Sequence, residues 1–224
     1  KKSNTLHIEI TADGSATLFV EELDEHYHSV KGALTESNHI YRDCAFMHRY
    51  VCSPLPEKPL RLLEVGFGTG LNACVTAMIS DKERPVHYIT LEKYPIDKHL
   101  LERLHYNQHT DSHLFNAIHQ AEWNTPTPIT PYFTLEKREA DFLTDELPMG
   151  IDVVYFDAFA PEKQPEMWSR TAFERLIAVM NPGAILTTYC AKGEIRRLMK
   201  SLGLEVERIA GPIGGKREIL RGKK

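Results

Sequence analysis

Apolar and polar residues alternate through Leu6-His7-Ile8-Glu9-Ile10, give way to Thr11-Ala12-Asp13-Gly14-Ser15, and resume over 16–20. A period of two on either side of a turn-forming pentapeptide predicts a β-hairpin. A polar, acidic stretch runs to Glu25, and a short helix is expected over 39–51 before Pro54, Pro56 and Pro59 mark a linker. Beyond Pro59, short apolar runs at 61–65, 86–91, 133–137, 151–156 and 184–189 predict strands, with helices between them at 72–80, 95–105, 171–180 and 194–201. That alternation is the signature of a parallel sheet with crossover helices. Two last strands, 204–209 and 217–220, are separated only by Gly211-Pro212-Ile213-Gly214-Gly215. A parallel crossover needs about a dozen residues, so this pair must be antiparallel.

The strongest local motif is Leu63-Glu64-Val65-Gly66-Phe67-Gly68-Thr69-Gly70-Leu71-Asn72, a strand running through glycines into a helix. Glycines let a backbone approach a ligand closely, and a helix N-terminus offers free N–H groups and positive potential. A dinucleotide fingerprint wants a small residue where Leu71 stands; the GxGxG spacing of Gly66, Gly68 and Gly70 favours S-adenosylmethionine. The expected fold is thus α/β: a class I S-adenosylmethionine-dependent methyltransferase over 59–224, Rossmann-like, with a seven-stranded mostly parallel sheet ending in an antiparallel hairpin. Residues 1–58 form a small N-terminal hairpin and helical extension.

Several acids stand where such a sheet presents ligand contacts. Glu64, just inside the loop, can accept from the cofactor's ammonium group. Glu92 ends the second strand and can take two ribose hydroxyls, or be a solvated strand end. Asp141 follows the third strand and either receives the adenine amino group or caps the next turn. Asp157, at the carboxyl end of the apolar run 151–156, can accept hydrogen bonds from an incoming amine and assist its proton loss. An amine is protonated in neutral water, and only its neutral form has a lone pair to attack a methyl group. Phe159, Lys163 and Trp168 lie on the Pro-punctuated loop that follows, a mixture able to stack on a base and hold a phosphate. A buried Trp168 anchoring that loop is the equal alternative. Residues 189–193 are a further candidate pocket wall.

Charge and cysteine usage narrow the classes. The chain has 224 residues and a net charge of −4, which argues against a uniformly basic nucleic-acid coat. The charge is uneven: residues 192–224 hold ten Lys/Arg against four Asp/Glu. Cys44, Cys52, Cys74 and Cys190 make no CxxC pair, which fits reduced cytosolic thiols. The polar start predicts no signal peptide, and no run approaches the ~18 apolar residues of a membrane span. His105, His109 and His113 have the spacing of one helical face, but Thr110, Asp111 and Ser112 interrupt it, so no metal site is expected.

Four stretches together resemble the MnmC-like methyltransferase family: residues 63–72 (LEVGFGTGLN), 92–95 (EKYP), 157–168 (DAFAPEKQPEMW) and 215–222 (GKREILRG). Tyr27-His28-Ser29 and residues 32–37 are similar to the family's lead-in segment. The resemblance implies N-methylation of the 5-aminomethyl group of the (2-thio)uridine at the tRNA wobble position, with S-adenosylmethionine as cofactor. It implies a stand-alone MnmD-type form, since the length leaves no room for a flavin-dependent oxidoreductase domain. By resemblance, Glu92 and Asp141 hold ribose and adenine, Asp157 lies beside the reactive methyl, and Tyr27 and Glu36 help close the cofactor pocket. The basic C-terminal region, notably Arg196, Arg197, Lys216 and Arg217, would then meet the anticodon stem-loop backbone. The expected partner is tRNA, with no membrane and no obligate protein partner, in the cytoplasm. The alternative is a small-molecule amine methyl- or aminopropyltransferase on the same fold.

Overall fold

The computed structural model describes residues 5–52, 59–106 and 110–224. Pro54, Pro56 and His109 lie outside the described residues. The N-terminal hairpin forms as expected: β1 (Leu6–Ile10) pairs antiparallel with β2 (Ala16–Val20), and a two-residue β3 (Glu25–His26) extends the sheet. Asp13 organises the turn, one carboxylate oxygen accepting from Thr11 and Ser15 and the other from the Thr35 backbone at 2.9 Å. The turn is thereby tied to the first helical segment.

That segment begins at Ala33, earlier than the pattern predicts: α1 (Ala33–Glu36) runs into a π-helix (Ser37–Met47) and then α2 (His48–Cys52). Its buried residues, Ser37, Ile40, Tyr41, Ala45 and Phe46, recur at four- to five-residue steps. An i→i+5 ladder supports that period, and a 3.6-residue template does not match it.

The main sheet has eight strands rather than seven. These are β4 (Leu60–Val65), β5 (Val86–Glu92), β6 (Thr127–Thr130), β7 (Phe133–Glu139), β8 (Ile151–Phe156), β9 (Met180–Thr188), β10 (Glu205–Ala210) and β11 (Glu218–Lys223), in the spatial order β10-β11-β9-β8-β4-β5-β7-β6. The central five are parallel, and β10 and β11 form the expected antiparallel pair against β9. The extra strand, β6, pairs antiparallel with β7 on one side only and contains Pro128, which an edge strand tolerates and which erases its sequence signal.

Helices cover both faces: α3 (Leu71–Ala77), α4 (Lys98–Glu102) and α5 (Ser112–Gln120), then α6 (Arg170–Val179) and α7 (Gly193–Ser201). One core layer joins Leu62, Tyr88 and Tyr155 of the sheet to Ile40, Tyr41 and Phe46 of the π-helix; the other joins Val154 and Phe156 to Phe173 and Met199. Because successive strand residues face opposite sides, a parallel strand covered on both faces is largely apolar, and all six residues of β8 are buried, its one charged residue, Asp152, accepting from the Arg61 amide at 2.9 Å and from Asn181 at 2.8 Å. His105 has φ 51° and His113 is the second residue of α5, behind the Asp111 cap, so the two do not share a helix. No helix among the described residues is long and apolar enough to cross a membrane.

Candidate active site

The chain passes from β4 to β5 on one side and later returns to β8 on the other. Open α/β sheets place ligands at such a switch point, outside the carboxyl ends of the strands. A cleft of about 1310 Å³ lies there. Its walls include Tyr27, Glu36, Gly66, Gly68, Glu92 and Asp141, with Asp157, Phe159 and Lys216 toward the far end.

The glycine loop has little room for any side chain. Gly66 has φ 92°, and a Cβ there would stand 3.0 Å from the Asp157 carbonyl; Gly68 has φ 51°, and a Cβ would come within 2.8 Å of the Tyr27 ring. Gly70, at φ 75°, is off the cleft wall and turns the loop into α3. Tyr27 lies over the loop, edge-on to Phe159 at 5.1 Å, and the next residue fixes it there: His28 Nε2 is 2.8 Å from Thr69 Oγ1. Burial holds His28 down at about 4, so it is neutral at physiological pH.

Glu92 accepts from the Gly68 amide at 3.1 Å on one oxygen and from the Tyr94 amide at 2.8 Å on the other. Burial raises its pKa, and those backbone donors oppose the rise. The backbone amides of Lys93 and Phe67 also act on this carboxylate, so it is held in place on the cleft wall as an acceptor for a ribose diol. Asp141 accepts from the Leu143 amide at 2.9 Å and pairs with Lys93 at 2.8 Å, so it caps a turn while remaining on the cleft wall. The narrow glycine cradle, the positioned Glu92 and the nearby Asp141 suit the ribose and adenine of S-adenosylmethionine.

Asp157 is held by two donors: Tyr41 Oη at 2.6 Å on one oxygen and Asn72 Nδ2 at 2.9 Å on the other. Burial pushes its carboxyl up to about 6, against the pull of those hydrogen bonds and the positive charge of Lys216. Lys216 Nζ stands 3.5 Å over the Tyr189 ring, whose hydroxyl donates to the Ala158 carbonyl at 2.8 Å. Of residues 189–193, Tyr189 is part of the cleft wall and the other four are not.

Other sequence candidates lie elsewhere. Glu64 is fully buried behind the loop, accepts from Asn72 at 3.1 Å, and is pushed by burial up to about 8. The structure thus places Glu64 off the cleft wall and does not bring it alongside Glu92 and Asp141. Trp168 is 5% exposed, donates Nε1–H to the Phe159 carbonyl at 2.8 Å and packs edge-on against Phe156 at 5.0 Å. It anchors the loop and offers no free face to a base. Lys163 pairs with Asp24 at 3.6 Å, outside the cleft wall. Arg196 and Arg197 lie on α7 and Arg217 on the β10–β11 connection, all off the cleft wall. Tyr41 and Asn72 had no role assigned from sequence. Asn72, the polar second residue of an otherwise apolar helix start, is a visible signal; Tyr41 has only the five-residue period.

The chain is similar in sequence to two bacterial proteins named tRNA 5-methylaminomethyl-2-thiouridine biosynthesis bifunctional protein MnmC. The one from Cupriavidus necator is 32% identical, covering 86% of this chain and 31% of that protein; the one from Ralstonia nicotianae is 30% identical, covering 91% and 32%. A family model described as S-adenosyl-L-methionine-dependent methyltransferase matches residues 133–224. Nearly the whole chain is thus similar to one part of the MnmC proteins, and its fold is that of an S-adenosylmethionine-dependent methyltransferase. It spans about a third of the length of those relatives. MnmC2 from Aquifex aeolicus superposes with a TM-score of 0.73 at 23% identity, covering 99% of this chain and 71% of that one. Spermidine synthase from Thermotoga maritima has the same fold at a TM-score of 0.63 and 12% identity, covering 100% of this chain and 70% of that one. The cofactor is S-adenosylmethionine, as the description of the matching family model gives it.

Proposed function

We propose that this MnmC-like chain methylates the amine of a 5-aminomethyl group on the wobble (2-thio)uridine of tRNA, in the cytoplasm where tRNA is available. The observation that supports it most is Asp157: a carboxylate at the cleft's far end, fixed by Tyr41 and Asn72, one strand end away from the glycine loop. In this reading Gly66 and Gly68 admit the cofactor, Glu92 holds its ribose and Asp141 its adenine. When bound, S-adenosylmethionine would supply an electrophilic methyl group to the amine lone pair, its sulfur keeping the C–S bonding pair. Asp157 accepts an N–H of the incoming ammonium, orients the nitrogen and takes up its proton. Tyr41 and Asn72 each donate to one of its oxygens, so the carboxylate cannot rotate as the amine arrives. Alignment supplies the larger part of the acceleration, and proton removal adds about 10²–10⁴-fold.

Tyr189, Lys216 and Phe159 would border the base, with Arg217, Arg196 and Arg197 reaching the anticodon-stem phosphates beyond the rim. The test is incubation with labelled S-adenosylmethionine and tRNA carrying aminomethyl wobble uridine, beside the same tRNA lacking it. Methylated nucleoside only from the first is expected. Transfer to neither tRNA, with cofactor binding intact, would overturn the reading in favour of a small amine substrate.

A further inference from the structure

The π-helix changes which residues share a face. With i→i+5 spacing, side chains five apart stand over one another. Glu36, which precedes this helix, and Tyr41 are so related, and both belong to the end of the cleft where Asp157 lies: Tyr41 donates to Asp157, and Glu36 lines the wall. Glu36 is 5% exposed and accepts from the Ser29 amide at 3.2 Å. The charged groups that act on it are Lys216 from the β10–β11 connection, Asp157 from the end of β8 and Glu25 from β3, while the hydroxyls of Tyr41 and Tyr189 sense its charge in turn. Glu36 therefore belongs electrostatically to the far end of the cleft.

Two carboxyls facing one desolvated space repel each other and favour a cation between them. Lys216 answers part of that charge, but its ammonium is drawn onto the Tyr189 ring at 3.5 Å. We propose that Glu36 and Asp157 form a two-carboxylate receptor for the ammonium group of the substrate, so that Glu36 acts on the amine and not on the cofactor. This inference rests on the amine-methylation reading above. Each carboxylate accepts one N–H of the ammonium. One of those protons then passes to a carboxylate, leaving the nitrogen its lone pair; the carboxyl returns the proton to water after the secondary ammonium product leaves. Burial raises Glu36 to about 7 and Asp157 to about 6, so arrival of a cation ionises whichever of the two still holds a proton.

The first measurement uses wild-type protein without cofactor, comparing tRNA bearing aminomethyl wobble uridine with tRNA bearing the neutral hydroxymethyl isostere. Charged hydrogen bonds at both carboxylates should favour the amine by about tenfold or more. Glu36→Gln should lower that preference by about tenfold while S-adenosylmethionine affinity, read by calorimetry, stays within about twofold. Glu36→Asp should keep part of the preference. Should Glu36→Gln fail to fold, proton release on binding the aminomethyl tRNA to wild type decides. Near about pH 6.5 the pair should release close to one proton, where Asp157 alone would release roughly a quarter. Lost cofactor affinity with an intact amine preference would make Glu36 a cofactor contact and overturn the receptor. Discrimination unchanged in Glu36→Gln, or release of only about a quarter of a proton, would do the same. Wild-type protein that neither prefers nor methylates the aminomethyl tRNA would instead sink the amine-methylation reading itself.

Discussion

Asp157→Asn is expected to slow methyl transfer and to stabilise the fold, and both effects come from the same buried charge. The Asp157 carboxyl is pushed from 3.8 up to about 6. A folded value above the unfolded one means that the native state binds more protons between the two, so stability falls as pH rises through that window and the loss is complete above about pH 6. The gap corresponds to at most roughly 3 kcal/mol, and water in the open cleft screens it to about 1.5–2 kcal/mol. Asparagine has the same shape and no charge. It can accept from only one of the two donors, Tyr41 or Asn72, which forfeits about 0.5–1 kcal/mol. The net gain is about 1 kcal/mol near pH 8, or a rise in Tm of about 2–4 °C for a chain of this size. Scanning calorimetry at about pH 8 and about pH 4 should show that gain at the higher pH and its disappearance at the lower. Single-turnover methyl transfer should fall about 10²–10⁴-fold with cofactor affinity nearly intact. A lower Tm at both pH values would mean that Asp157 serves mainly as a structural hub for Tyr41 and Asn72, and unchanged turnover would remove it from the mechanism.

Three further outcomes test the rest of the cleft. Wild-type turnover should rise with pH through about 6, since Asp157 accepts a proton only when ionised; a flat profile from about pH 5 to 8 would contradict a carboxylate base. Gly68→Ala puts a Cβ at φ 51° within 2.8 Å of the Tyr27 ring. It should cost about 1–2 kcal/mol of strain and weaken S-adenosylmethionine about tenfold by calorimetry, and an unchanged affinity would place the cofactor off this loop. Replacing Arg196 and Arg197 together with Ala should weaken tRNA binding and reduce its salt slope by about two; an unaltered slope would move the footprint off α7.

The buried parallel strands were the most legible part of the fold because burial on both faces gives a nearly continuous apolar run: 151–156 matches β8 residue for residue, with Asp152 its one charged residue. The edge strand β6 was not legible, since Thr-Pro-Ile-Thr has neither an apolar run nor a free N–H at Pro128. Helix α5 was missed as well, because Ser112–Gln120 buries only Phe115 and Ile118. Asp157 and the glycines stand at strand ends, and a strand end can be located from its own neighbours. What holds the Asp157 carboxylate cannot be, because Tyr41 is 116 positions away and Asn72 is 85. These two partners come from different places, the π-helix ahead of the sheet and the first turn after the glycine loop. Asn72 also donates to Glu64, in the strand that leads into that loop. Asn72 thus ties the strand that leads into the glycine loop to one oxygen of Asp157, while the π-helix holds the other through Tyr41, which is why the polar residue inside an otherwise apolar helix start matters more than its place in the motif suggests.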